Sequence, residues 1–146
     1  MYSECLDKAA EQDILVMAAA VSDFTPQKSH AQKIKKNGKV VQLMLEPTKD
    51  ILKELGSKKK QDQILVGFAL ETENELENAQ TKLKKKNLDM VVLNSLNDHG
   101  AGFETDTNKI TIIHKHNEFI NFELKSKEMV AIDIVDQIET HLNAQK

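Results

Sequence analysis

Ile64-Leu65-Val66-Gly67-Phe68-Ala69 is a continuous apolar run; Thr72-Glu73-Asn74-Glu75 follows it and, after a lysine-rich stretch, so does Met90-Val91-Val92-Leu93. The first run is short and lacks polar alternation, so it reads as a strand buried on both faces. Thr72 to Glu75 has the spacing of a capping box, and Leu76, Ala79 and Leu83 then mark the apolar face of a helix ending near Asn87. Met90 to Leu93 reads as a further buried strand, closed by Asn94 and Ser95. A strand, a helix and a strand in this order form a right-handed crossover and build a parallel sheet.

Toward the N-terminus, Cys5, Leu6, Ala9 and Ala10 suit one face of a short helix, and the run Ile14 to Ala20 reads as another buried strand. The polar stretch Ser22 to Gly38, with Pro26 as a breaker and four lysines, is too long for an ordinary connection and is expected to be functional or mobile. Val40 to Glu46 alternates as a strand with one wetter face. Pro47-Thr48 ends it before the helical pattern Ile51, Leu52, Leu55, with Thr48 as N-cap and Asp50 in the first turn. The lysines 58 to 60 suit that helix's C-terminus.

Toward the C-terminus, Ile110 to Ile113 and Phe119 to Leu124 form an antiparallel hairpin around Lys115-His116-Asn117. Ser126 caps a last helix in which Val130, Ile134, Ile138 and Leu142 recur every four residues. The fold class is therefore α/β: a Rossmann-like, mostly parallel sheet with flanking helices and a C-terminal antiparallel hairpin, in one domain over residues 1–146.

Composition narrows the function. The chain has 40% hydrophobic and 29% charged residues and a net charge of -3, an ordinary globular balance. All 20 basic residues are lysine, aromatics make up 4% and tryptophan is absent. Guanidinium forks and stacking platforms are thus missing, and nucleic acid is not an expected partner. One cysteine, no signal-peptide pattern and no membrane-length apolar run make the expected location cytoplasmic, with no membrane partner.

In an open α/β sheet, ligands gather at the C-terminal strand ends, here Ala19 to Asp23, Thr48 to Asp50, Phe68 to Glu71 and Asn94. Ala18 to Phe24 puts small residues at a strand end and an acid beyond it. That pattern suits close ligand approach with Asp23 on a ribose hydroxyl or a phosphate-bound metal, or equally a packed strand with a solvated loop acid. Lys33-Ile34-Lys35-Lys36 could close over a polyphosphate or remain a solvated charge run. Pro47 to Ile51 opens a helix whose free N-H groups favour an anion. Lys82 and Lys86 share a helix face and could reach one polyanion, although Lys84 and Lys85 dilute that pattern and, taken alone, favour a solvated basic helix end. Phe68 is a core residue or an aromatic edge for a base. His114 and His116 would share a strand face, but no third ligand lies near them. Five scattered glycines make neither a dinucleotide nor a P-loop fingerprint.

The combination A-A-A-V-S-D-F, K-I-K-K, P-T-K-D-I-L, V-G-F-A-L-E-T, K-x-x-x-K and V-L-N-S, in this order, resembles phosphopantothenoylcysteine synthetase. That family is often fused behind a flavin-dependent decarboxylase in bacterial coenzyme A biosynthesis. The resemblance implies a ligase that activates 4'-phosphopantothenate with CTP and Mg2+ and then joins it to L-cysteine through an acyl-cytidylate. It implies a homodimer, a decarboxylase partner either fused or separate, and no flavin in this part.

Residue by residue, the resemblance implies that Lys33 is the catalytic loop lysine and that Asp23 contacts the nucleotide. Met17, Ala18 and Ala19 would line the site with backbone, and Thr48, Lys49, Asp50 and Ile51 would form the nucleotide-binding helix start. Phe68, Lys82 and Lys86 would supply the remaining contacts; no metal ligand is assigned. The family shows Asn-Pro where this chain has Thr48-Lys49. An upstream Gly-rich strand-turn-helix and an Asn-containing stretch have no counterpart in this sequence, so it reads as the C-terminal portion of the domain, with an open sheet edge expected. ATP in place of CTP, or a non-catalytic α/β nucleotide-binding or interaction module, stays open on these residues.

Overall fold

The computed structural model describes every residue except 37, 39, 96–104, 117 and 145–146. In chain order the elements are α1 (Tyr2–Ala9), β1 (Ile14–Met17), β2 (Phe24–Pro26), β3 (Leu45–Pro47), α2 (Ile51–Lys58), β4 (Ile64–Glu71), α3 (Glu75–Lys85), β5 (Met90–Ser95), β6 (Thr107–Asn108), β7 (Ile110–His114), β8 (Phe119–Asn121), β9 (Lys125–Ser126) and α4 (Lys127–Ala144). The main sheet runs β1-β4-β5-β7-β8. β1, β4 and β5 are parallel, while β7 is antiparallel to β5 and β8 to β7. The α/β reading with a mixed, mostly parallel sheet and a C-terminal hairpin holds.

Because alternate side chains of a strand face opposite ways, β4 and β5 feed two cores. Leu65, Ala69, Val91 and Leu93 pack with Ile51 and Leu55 of α2 and Ala79 and Leu83 of α3, with α1 against the same layer. Ile64, Val66, Met90 and Val92 pack with Ile110 and Ile112 of β7 and with Val130, Ile134 and Ile138 of α4. The four-residue period of the last helix thus faces a sheet, and its N-terminus is capped as expected: Met129 N donates to Ser126 Oγ at 3.3 Å.

Several expectations change. The run Ile14 to Ala20 is not a buried strand. Only Ile14–Met17 pairs, at the sheet edge, with Leu15 and Met17 packed on the α2 layer while Ile14 and Val16 remain 39% and 44% exposed. An apolar run says what can be buried; the core under α4 takes in Ile64 and Val66 of the neighbouring β4 but neither Ile14 nor Val16. The Val40 to Glu46 strand shrinks to Leu45–Pro47, which pairs only with Phe24–Pro26, and Val40, Val41, Leu43 and Met44 are exposed because the small ribbon offers them no second layer. Pro26 accordingly ends a strand inside the polar stretch instead of breaking it, as suits a two-stranded edge.

Helix caps also differ. Asp50, not Thr48, caps α2 by accepting from Lys53 N at 3.0 Å, while Thr48 Oγ1 donates to Ser22 O at 2.6 Å. The helix after β4 starts later than the capping box places it: Asn74 is the N-cap, in a left-handed conformation that Asn tolerates, and the Glu75 carboxylate accepts from Ser95 Oγ at 2.6 Å. Leu76 is exposed at the first turn. In the hairpin, β8 stops at Asn121, Phe122 turns into the second core and Leu124 is exposed. His116 follows the end of β7 in an exposed turn, so it does not share a strand face with the buried His114; Asn117 lies outside the described residues. Among the described residues no helix is long and apolar enough to cross a membrane.

Candidate functional site

The C-terminal ends of parallel strands β1, β4 and β5 point the same way, with β1 stopping level with Gly67 while β4 and β5 run on to Glu71 and Ser95, and a cavity of about 490 Å³ opens there. It is lined by Met17 to Asp23, Thr48 to Leu52, Phe68 to Leu70, Lys82, Lys86 and Asn94. The four segments assigned to the strand ends from sequence thus meet. Two of them are tied directly, since Thr48 N donates to Asp23 O at 2.8 Å and Thr48 Oγ1 to Ser22 O.

Of the predicted residues, Met17, Ala18, Ala19, Asp23, Thr48, Lys49, Asp50, Ile51, Phe68, Lys82 and Lys86 all line this cavity. Lys33 does not; it sits on the exposed loop between β2 and β3. The Lys49 ammonium lies over the Tyr2 ring, 4.7 Å from its centroid, so this residue is engaged by α1 through its charged end. Asn94 lines the cavity too, at the β5 end that strand-end logic marked, although the motif comparison assigned it no contact.

The charges are arranged unequally. Lys86 pairs with Asp50 at 2.9 Å, bridging the start of α2 and the end of α3. Burial acts to raise the Asp50 pKa, but the Lys53 N-H and the Lys86 ammonium outweigh it and hold the carboxyl below its ordinary value. Lys82 stands one helical turn before Lys86 and has no ion pair among the described residues. Burial, reinforced by the Lys86 charge, pushes its ammonium below the usual lysine range, against weaker opposition from Glu71, Asp50 and Asp23. A half-buried cation beside a second cation is stabilised by any anion that enters. Small residues from Ala18 to Ala20 leave backbone open at the β1 end, and Phe68, which is partly buried against the second core, also lines the cavity.

A match to known proteins covers the whole architecture. The family described as DNA/pantothenate metabolism flavoprotein C-terminal domain matches residues 1–142. A protein named cysteine/cysteine sulfinic acid decarboxylase, from an unknown prokaryotic organism, is 56% identical over 96% of this chain and 39% of its own length. The coenzyme A biosynthesis bifunctional protein CoaBC of Bacillus subtilis (strain 168) is 46% identical over 86% of this chain and 31% of its own. The crystal structure of the C-terminal domain of a coenzyme A biosynthesis bifunctional protein CoaBC superposes with a TM-score of 0.77 at 34% identity, covering 98% of this chain and 61% of that one. The chain therefore spans well under half the length of these two curated relatives.

Proposed function

The chain belongs to the DNA/pantothenate metabolism flavoprotein C-terminal domain family, and from that membership we propose that it is the nucleotide-binding portion of a CTP-dependent phosphopantothenate-cysteine ligase of coenzyme A biosynthesis. The observation that carries this reading is Lys82: a half-buried ammonium with no carboxylate paired to it among the described residues, next to Lys86 and the first turn of α2, in a cavity sized for a small ligand. A triphosphate relieves the repulsion that the two lysines share. Phe68 is placed to meet the base and Asp23 a ribose hydroxyl or the metal.

In the proposed reaction the 4'-phosphopantothenate carboxylate attacks the α-phosphorus of CTP, forming the acyl-cytidylate and releasing pyrophosphate. The cysteine amine then attacks the acyl carbon, the amide forms, CMP leaves and the amine proton is lost to solvent. The work assigned to this chain is electrostatic. Lys82 and Lys86 hold the triphosphate, and Lys33 would swing in from its exposed loop to offset charge building on the α-phosphate. Mg2+ fits as an ion carried by the nucleotide: the described residues contain no cluster of three potential ligands, and Asp23 supplies one lining carboxylate. Its chemistry is neutralisation of phosphate charge. A homodimer in the cytoplasm, with a decarboxylase fused or separate, completes the reading.

The relative named for cysteine and cysteine sulfinic acid decarboxylation favours a second reading, in which the same domain serves a larger decarboxylase. Titration calorimetry with CTP, ATP and tripolyphosphate, each with Mg2+, tests the first. CTP should bind most tightly, and Lys82→Ala should weaken it about tenfold or more. Equal binding of tripolyphosphate and CTP would reduce the site to a charged surface. In a protein of the relatives' full length, CTP-dependent pyrophosphate release with amide formation separates the ligase from CTP-independent carbon dioxide release by a decarboxylase.

A further inference from the structure

Asn94 reaches the cavity at the end of β5, and behind it stands Asn108, only 8% exposed, at the end of β6. Lys109 N donates to Asn108 Oδ1 at 3.0 Å, and Asn108 Nδ2 donates to Asn94 Oδ1 at 3.2 Å. The direction of this chain is forced. A backbone N-H can only donate, so the atom facing Lys109 N must be the amide oxygen of Asn108. The other end of Asn108 is then its NH2, which can only donate, so the atom of Asn94 that meets it must be oxygen. The NH2 of Asn94 is left over, and among the described residues nothing accepts from it.

We propose that Asn108 is a positioning residue that locks the Asn94 amide with its NH2 turned to the cavity, making Asn94 a fixed donor to the ligand. An unrestrained asparagine presents either end, and half its orientations would set an oxygen against a phosphate or carbonyl oxygen. Locking removes that repulsion and the entropy of choosing. Ligand recognition by Asn94 rests on the nucleotide reading above; the order of the amides does not.

Asn108→Asp provides the test. The ionised carboxylate of this variant still accepts from Lys109 N, but now also presents an acceptor to Asn94, whose amide must turn over and show its oxygen to the cavity. Protonating that carboxylate restores an O-H donor toward Asn94 and hence the original order. The first measurement is side-chain amide hydrogen exchange by NMR in the free protein. In the natural chain the Asn108 NH2 should exchange more slowly than that of Asn94, and in Asn108→Asp the Asn94 NH2 should become protected at neutral pH and lose that protection on acidification. A natural chain with the Asn94 NH2 better protected than that of Asn108 overturns the proposal.

The second measurement is CTP titration. Asn108→Asp should weaken binding about tenfold to a hundredfold at neutral pH and recover, relative to the natural chain, as pH falls. In an Asn94→Ala background the same substitution should cost much less. An equal loss in both backgrounds would mean that the new charge acts alone and overturns the relay. Failure of the natural chain to bind CTP would instead remove the nucleotide reading, and with it the donor role of Asn94, while the exchange data still decide the amide order.

Discussion

Replacing Gly56 by alanine should damage both stability and the cavity, through one backbone contact. A Cβ on Gly56 would stand 2.8 Å from the carbonyl carbon of Lys86 and closer still to its oxygen. Carbon atoms pack at about 3.5 Å or more, so α2 and the end of α3 must part by about 0.7 Å or more. They are not free to slide, because Asn87 Nδ2 donates to Gly56 O at 2.9 Å across the same contact. Overpacking of this kind costs about 1 to 3 kcal/mol and loss of the hydrogen bond about 1 more, against a gain of about 1 from alanine in a helix. The net expectation is a loss of about 1 to 3 kcal/mol. Gly67→Ala is the control: its Cβ would meet Leu52 Cδ2 at 2.8 Å and Leu88 Cδ1 at 2.9 Å, which are leucine tips that can turn aside. Its loss should be about 1 kcal/mol or less. Urea unfolding at equilibrium measures both, and CTP titration should weaken for Gly56→Ala because Lys86 moves with its carbonyl. A Gly56→Ala protein as stable as the natural chain, or less damaged than Gly67→Ala, would refute the reasoning.

Asp89→Ala should cost about 3 to 5 kcal/mol: Lys59 Nζ lies 2.6 Å from both carboxylate oxygens with both side chains over 90% buried, and Leu65 N donates to the same carboxylate at 2.8 Å. Thermal melting should drop by about 10 °C, and an unchanged melting temperature would show that the pair is dispensable. Burial holds the His141 imidazole below its ordinary 6.5, with Asp89 opposing and the charges of His114, Lys59 and His116 adding. The unfolded chain therefore takes up this proton first as pH falls, so stability should decline on acidification below about 6.5 until the folded pKa is passed. His141→Gln should flatten that part of a urea-midpoint profile, and an identical slope in the variant would assign the decline elsewhere. In a protein of the relatives' full length, Lys33→Ala should lower turnover at saturating CTP about a hundredfold to a thousandfold, and Lys84→Ala should change little. Similar small effects for both would make the 33–36 run a solvated surface.

The sequence by itself determined the strands whose burial does not depend on neighbours. Ile64 to Ala69 and Met90 to Leu93 are apolar on both faces, and Val130, Ile134 and Ile138 recur at helical spacing, so each declares both its type and its packing surface. Most of the candidate site followed, because parallel strands put their ends together and Lys82 and Lys86 lie one turn apart on a single helix. Only tertiary structure decided that Ile14–Met17 forms an edge strand with an uncovered face, since an apolar run looks the same whether or not a layer covers it. The same holds for contacts between distant residues: Lys59 with Asp89, the Gly56 backbone against Lys86, and Asn108 behind Asn94. Local patterns report how a segment meets water, whereas these contacts depend on where two segments come to rest. Hydrogen bonds and close approaches are short-ranged, and residues far apart in the chain carry no mark of them until the fold brings them within reach.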